Sequence, residues 1–291
     1  MVKIMVLGAQ GILAKALCVE FRSKNHIVIG VSRSQPKTGS GFSKVVTCNY
    51  GIEEIRSLIN TFKPSLIVNT IGEINIQKCQ NDIEHAYKAN YYPGANLCSA
   101  VNKINYKPFL VQISTDNLYS KSGFSAEKNI TCLNSYGFSK YMGEVPFRKN
   151  DGLILRTNYL ARTKSGTTYF DWVYQTCFNS PGNLQLYRNI HFNPTSVKNI
   201  ADNILFAFKY NLTGIFNLGV EGSWTKASFH LTIAKKLGKS LNYTLVNCPQ
   251  NKVPRPLDMR MNVAKAKEYG FSIFQPEILL KEIIMGNRYE I

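Results

Sequence analysis

Residues 3–14 read KIMVLGAQGILA: a short apolar run, a turn with two glycines, and the start of a helical spacing that continues to residue 22. Gly8, Gly11 and Ala14 fall in a GxxGxxA pattern. Gly8 permits the tight turn, Gly11 lets a backbone approach a pyrophosphate, and Ala14 is small enough for close helix–strand packing. Free N–H groups and the dipole at the helix N-terminus would hold the phosphates. An ordinary strand–helix turn can carry the same glycines. The position after an N-terminal strand and before a helix is what makes the pattern informative. The turn residues Gly8, Gln10, Gly11, Ile12 and Leu13 are therefore candidate contacts for a dinucleotide cofactor.

Outward from this turn the chain alternates strands and helices. Apolar β-rich runs at 26–31, 44–47, 65–69 and 109–114 are separated by helical patterns at 52–62 and 84–102. Such alternation means parallel βαβ units. Near-continuous apolar strands mean a sheet covered on both faces, and the right-handed crossover rule leaves a doubly wound α/β sheet of the Rossmann kind. Further strands are expected at 152–156 and 214–218, and helices at 197–210 and 226–237. The expected division is a dinucleotide-binding domain of residues 1–157 plus about 193–219. A smaller C-terminal domain, 158–192 and 220–291, would bind substrate.

The second strand ends in Ser32, Arg33 and Ser34. An NAD enzyme usually places Asp or Glu there for the ribose hydroxyls. Arg33 can instead pair with a 2′-phosphate through its planar guanidinium, and the serines can donate to it. The sequence favours NADPH, against the plainer alternative that Arg33 is a solvated loop residue.

Residues 135–140 read SYGFSK. On a helix Tyr136 and Lys140 project from one face, one turn apart. Tyr136 could give its phenolic proton to a carbonyl oxygen as hydride reaches the carbon. A free phenol, with a pKa of about 10, exchanges poorly at neutral pH, and a neighbouring ammonium favours the phenolate. Lys140 could also hydrogen-bond the nicotinamide ribose. A Tyr-x-x-x-Lys pair arises often by chance. Here it follows ISTDNLYS, 113–120, which ends a strand at the carboxyl edge where α/β ligands bind. Thr115 or Ser114 could place a substrate carbonyl. Asp116 is a further polar candidate, or a cap of the next turn.

Composition bounds the partners. The 291 residues are 44% hydrophobic and 18% charged, which fits a globular chain and not a disordered one. No apolar run reaches the ~18 residues of a membrane span, and the N-terminus lacks the features of a signal peptide. Seven scattered cysteines without a CxxC pair argue against a disulfide framework and for a reducing compartment, the cytoplasm. The four histidines show no ligand spacing, so no metal is expected. The net charge is +17. It fits compositional drift, steering of polyanionic small ligands, or nucleic-acid binding. The basic residues form no dense stripe, so no nucleic-acid partner is expected.

LGAQGILA, IVNTIGEINIQKCQ, AYKANYYPGANL, ISTDNLYS, SYGFSKYMGE and LILRTNYLA follow one another as in the extended short-chain dehydrogenases. Together with HFNPTSVKNIADNI, TGIFNLG and VPRPLDMRMN the chain resembles the dTDP-4-dehydrorhamnose reductase family over nearly its whole length. The resemblance implies NAD(P)H-dependent reduction of a nucleoside-diphospho-4-keto-6-deoxyhexose to the rhamnose form. It implies Thr115, Tyr136 and Lys140 as catalytic residues, and Thr70, Ile71, Gly72 and Asn90 near the cofactor. Asn49 and Tyr50 stand where an Asp-Leu pair near the adenine is common, and an aromatic there can stack on the base. Tyr159 and Arg255 are candidates for the sugar nucleotide. Tyr159 replaces a usual Trp, and Phe192 a common Gly, which leaves dTDP and UDP both open. A related group also epimerises at C3 and C5, usually with a Cys where Asp116 stands. Cys79 is either a thiol near the pocket or a small buried hydrophobe. The regulatory subunit of methionine adenosyltransferase resembles the same family, so a non-catalytic role stays open. Extended dehydrogenases commonly dimerise, so the resemblance leaves a homodimer open, while the sequence itself does not show the oligomeric state.

Overall fold

The computed structural model describes residues 1–35, 41–179, 182–249, 252–286 and 289. Its central sheet has seven strands: β1 (Lys3–Leu7), β2 (Ile27–Ser32), β3 (Lys44–Thr47), β4 (Leu66–Asn69), β5 (Phe109–Thr115), β6 (Leu153–Thr157) and β7 (Gly214–Leu218). The order is β7-β6-β5-β4-β1-β2-β3. The chain therefore starts mid-sheet, winds out to β3, and returns past β1 to β4. The sheet is parallel; β1 pairs with β2 and with β4 in that sense, Leu7 lying opposite Val31 and Asn69. The topological switch point, where doubly wound sheets bind ligands, falls between the carboxyl ends of β1 and β4.

The helices of this layer are α1 (Ile12–Arg22), α2 (Ile52–Phe62), α3 (Ile76–Asn81), α4 (Ile83–Asn90), α5 (Tyr92–Val101) and α6 (Ser135–Lys149). The sequence suggests one long helix over 84–102. The structure divides it at Tyr91, because Pro93 occupies the first turn of α5. Pro has no N–H to donate and its ring clashes with the carbonyl four residues back, so a helix running through it breaks. Helix α3, held by the Asn75 side chain accepting from Lys78 N, has no counterpart in the sequence reading.

The chain divides into two compact units: 1–115, 134–156 and 197–216; and 116–133, 157–196 and 217–291. The first has a core of Met5, Leu7, Ile67, Leu97, Leu110 and Ile154 among others. The second packs Phe170, Val173, Phe192, Phe229, Ile233 and Leu279. It carries helices α7 (Tyr169–Phe178), α9 (Lys226–Lys236), α10 (Ala264–Glu268) and α11 (Pro276–Met285), while α8 (Val197–Tyr210) belongs to the first unit. Residues 116–133 group with the second unit. Their backbone is tied to 258–262: Gly123 N donates to Asp258 Oδ2 at 2.7 Å, and Ser125 exchanges bonds with Arg260 O and Asn262 N at 2.8 and 2.9 Å. Among the described residues no helix is long and apolar enough to cross a membrane.

Candidate functional site

The glycine turn closes on the switch point. Gly8 sits at φ 90°, a region Gly enters at no steric cost, and its N–H donates to Val31 O at 2.9 Å. A Cβ there would stand 2.9 Å from Thr70 Oγ1. The Thr70 hydroxyl itself donates to Leu7 O at 2.7 Å, tying the ends of β1 and β4 together. Gly11 is the N-cap of α1 and offers no side-chain cap. The first-turn N–H groups, including those of Ile12 and Leu13, are thus left for an anion. Leu13 turns its side chain into the core.

A cleft of about 240 Å³ opens over this turn. Gly8, Gln10, Gly11, Ser32, Arg33, Ser34, Tyr50, Thr70, Ile71 and Gly72 line it. Gln10 Nε2 donates to the Ser34 carbonyl and hydroxyl at 2.7 and 2.8 Å, fixing the loop that presents the exposed Arg33. Tyr50 is buried, with its hydroxyl donating to Val31 O at 3.1 Å; burial pushes this phenol up to about 12. Asn49 is exposed, and its N–H is bound by Glu54 at 2.8 Å.

A second cleft, of about 400 Å³, shares Arg33, Tyr50, Ile71 and Gly72 with the first. It adds Asn49, Lys78, His85 and Lys88. Glu73 sits among these side chains, 2.9 Å from Lys78 Nζ and 3.2 Å from His85 Nε2. The Lys78 bond foremost holds its carboxyl down at about 2. Sequence reading missed this cluster; its one local signal was a charged residue directly after Gly72.

The reacting end lies on α6. Asn134 caps the helix by accepting from Gly137 N at 2.9 Å. Tyr136 and Lys140 follow in the first turns, both buried. Lys140 Nζ donates to Ile113 O at 2.9 Å, which pins the lysine to β5 two residues before the buried Thr115. Burial lowers the ammonium to about 8, against an opposing pull from Glu144. Asn90 spans the gap to the glycine loop, donating to Ser139 Oγ at 2.9 Å and accepting from Glu73 N at 2.8 Å. A Cβ on Gly72 would meet Asn90 Oδ1 at 2.9 Å and Lys140 Nζ at 3.4 Å, so only Gly lets the loop come this close. Cys79 is wholly buried against Ala86 and Tyr136, with burial raising its thiol. It packs as the small hydrophobe of the two alternatives.

The two hydroxyls proposed for the substrate carbonyl differ. Ser114 gives its proton to Glu144 Oε1 at 2.6 Å, and Thr115, at the end of β5, is buried. In the second unit Asp116 is buried and accepts from Asn158 Nδ2 at 2.7 Å. Tyr159 is half-buried, in a two-residue strand paired with Thr195 and Ser196. Arg255 is exposed in a loop. Sequence reading also passed over Lys226, whose ammonium lies 3.7 Å from the ring centres of both Tyr169 and Phe192. Burial lowers it to about 8, with Asp116 acting in the opposite sense.

Known proteins resemble this chain in fold or in sequence at low identity. A dTDP-4-dehydrorhamnose reductase from Bacillus anthracis str. Ames, solved in complex with NADP, superposes with a TM-score of 0.84 at 18% identity over 98% of each chain. Spore coat polysaccharide biosynthesis protein SpsK of Bacillus subtilis (strain 168) is 22% identical over 267 residues, 88% of this chain and 87% of its own. Methionine adenosyltransferase 2 subunit beta of Xenopus tropicalis is 23% identical over 283 residues, 91% of this chain and 82% of its own. The RmlD substrate binding domain model matches residues 2–285, nearly the entire sequence, and the chain belongs to that family.

Proposed function

We propose that this chain uses NADPH to reduce the 4-keto group of a nucleoside-diphospho-4-keto-6-deoxyhexose, dTDP- or UDP-linked, giving the rhamnose nucleotide. The observation that carries the proposal is the Lys140–Ile113 bond. It fixes Lys140, and Tyr136 one turn before it, to the strand that ends in Thr115. The uncapped start of α1 suits a pyrophosphate, and Arg33 at the mouth of the cleft suits a 2′-phosphate. NADPH, when bound, supplies the hydride. Thr115 donates to the keto oxygen and orients it. Tyr136 Oη delivers a proton to that oxygen, and the Lys140 ammonium stabilises the phenolate left behind. Lys140 also orients the nicotinamide ribose. The second unit holds the nucleotide sugar, with Asp116, Tyr159 and Arg255 as its polar contacts.

The test is NADPH consumption with UDP- and dTDP-4-keto-6-deoxyglucose, each with and without a separate 3,5-epimerase. Consumption with one nucleotide identifies the substrate, and rhamnose formed without the added epimerase adds epimerisation to the activity. Likeness to the methionine adenosyltransferase subunit favours a second reading, a non-catalytic partner subunit. Tight NADPH binding with no consumption in any mixture would select it. For the cofactor, Arg33→Ala is expected to weaken NADPH roughly 10-fold or more, the worth of one charge-assisted hydrogen bond, and to leave NADH unchanged. Equal loss for both cofactors in a binding titration would remove Arg33 from the 2′-phosphate.

A further inference from the structure

Three charged side chains are buried together beneath the end of β5. Glu144, one turn beyond Lys140 on α6, and Arg156 on β6 are 0% and 1% exposed. Arg156 grips both carboxylate oxygens, Nε to Oε1 at 2.8 Å and Nη2 to Oε2 at 2.6 Å. The Ser114 hydroxyl adds its bond to Oε1. One hub thus joins the strand that ends in Thr115, the helix that carries Tyr136 and Lys140, and β6.

With Lys140 the cluster holds two cations and one anion. Arg stays protonated in proteins, so Lys140 is the cation that can give up its proton. The groups around it are few. Glu144 acts on it from α6, where Tyr136 lies one turn before it, and the Ile113 carbonyl accepts from it on β5. The β4–α3 loop brings Gly72 and, next to it, Glu73, whose carboxylate is taken up by Lys78 and His85. Helix α3 offers Cys79, held against Tyr136, and α4 offers the neutral Asn90. Helix α5 contains no Asp, Glu, Lys, Arg or His. Glu144 is therefore the anion left to hold the lysine's charge.

We infer that the Glu144–Arg156 pair sets the charge of Lys140, and that both are positioning residues for proton delivery by Tyr136. Glu144 keeps Lys140 an ammonium. Arg156 occupies both oxygens of Glu144 and keeps the carboxylate from locking onto Lys140 one turn away. The inference rests on the reductase reading for its role, although its electrostatics can be read without turnover.

The experiment compares Glu144→Gln, Arg156→Met and the double variant. One readout is kcat against pH for keto reduction. The other is the ultraviolet phenolate titration of Tyr136, taken as the difference from the same variant carrying Tyr136→Phe. Reduction needs the ammonium, so rate is lost as pH rises through the Lys140 titration. Glu144→Gln should move this alkaline limb down by about 1 pH unit or more, the usual effect of one charge at close range. Arg156→Met should move it up. The phenolate titration should move the same way as the limb in each, down in Glu144→Gln and up in Arg156→Met, because losing the anion favours the phenolate and losing the cation disfavours it, while KM for NADPH stays near wild type. A merely structural hub would shift both single variants alike or neither, and that result overturns the inference. If the singles do not fold, the double still decides, since replacing a buried ion pair by a neutral pair of similar size is often tolerated. It should shift the limb down, because the nearer charge is lost; an unshifted double overturns the inference. If no substrate turns over, the reductase reading fails on its own, and the phenolate titration still tests the hub.

Discussion

Tyr136→Phe is expected to lower kcat for keto-sugar reduction by roughly 100- to 10,000-fold, the usual contribution of a positioned general acid. NADPH affinity and the folded state should be retained. The phenyl ring still fills the space against Cys79 and Ala86, so that packing is kept while the proton donor is removed. The comparison is steady-state kinetics with saturating NADPH beside a cofactor titration. A variant that keeps its kcat would exclude Tyr136 as the proton donor. One that loses kcat and cofactor affinity together would point to a damaged helix instead.

Gly143→Ala should be the most damaging one-carbon change near the site. A Cβ at Gly143 would run into the backbone carbonyl oxygen of Asn90. A backbone oxygen cannot rotate aside, so α6 and α4 must separate. Overpacking of this kind costs about 1–3 kcal/mol. It also moves the helix that carries Tyr136 and Lys140 away from Asn90 and Gly72. The expected results are a lower urea midpoint and a reduced kcat. An unchanged midpoint would contradict the close packing of α6 on α4.

The parts legible from sequence were those written locally. The turn at Gly8 and Gly11, the loop at Ser32–Ser34 and the i, i+4 spacing of Tyr136 and Lys140 each need only a few consecutive residues, and the βαβ alternation around them set the sheet. The break at Tyr91 was also local, and Pro93 was its signal, but the apolar pattern on either side suggested one helix. What was not legible depends on distant residues meeting. Glu144 and Arg156 are twelve positions apart, and charged side chains in a sequence read as solvated until a fold buries them. Glu73, Lys78 and His85 come from a loop and two helices. Residues 116–133 belong with 258–262 through backbone bonds that carry no residue signature. Lys226 read as a helix start, and only the rings of Tyr169 and Phe192 mark it as unusual.

The most direct test of the central claim follows the hydride itself. NADPH deuterated at the transferable C4 position of the nicotinamide would be incubated with the protein and each nucleotide-linked 4-keto sugar, and the sugar product examined by mass spectrometry. Reduction by this chain predicts a single deuterium in the hexose, accumulating roughly 100- to 10,000-fold more slowly with Tyr136→Phe. A product that forms without deuterium, or no product although NADPH is bound, would contradict the reductase account.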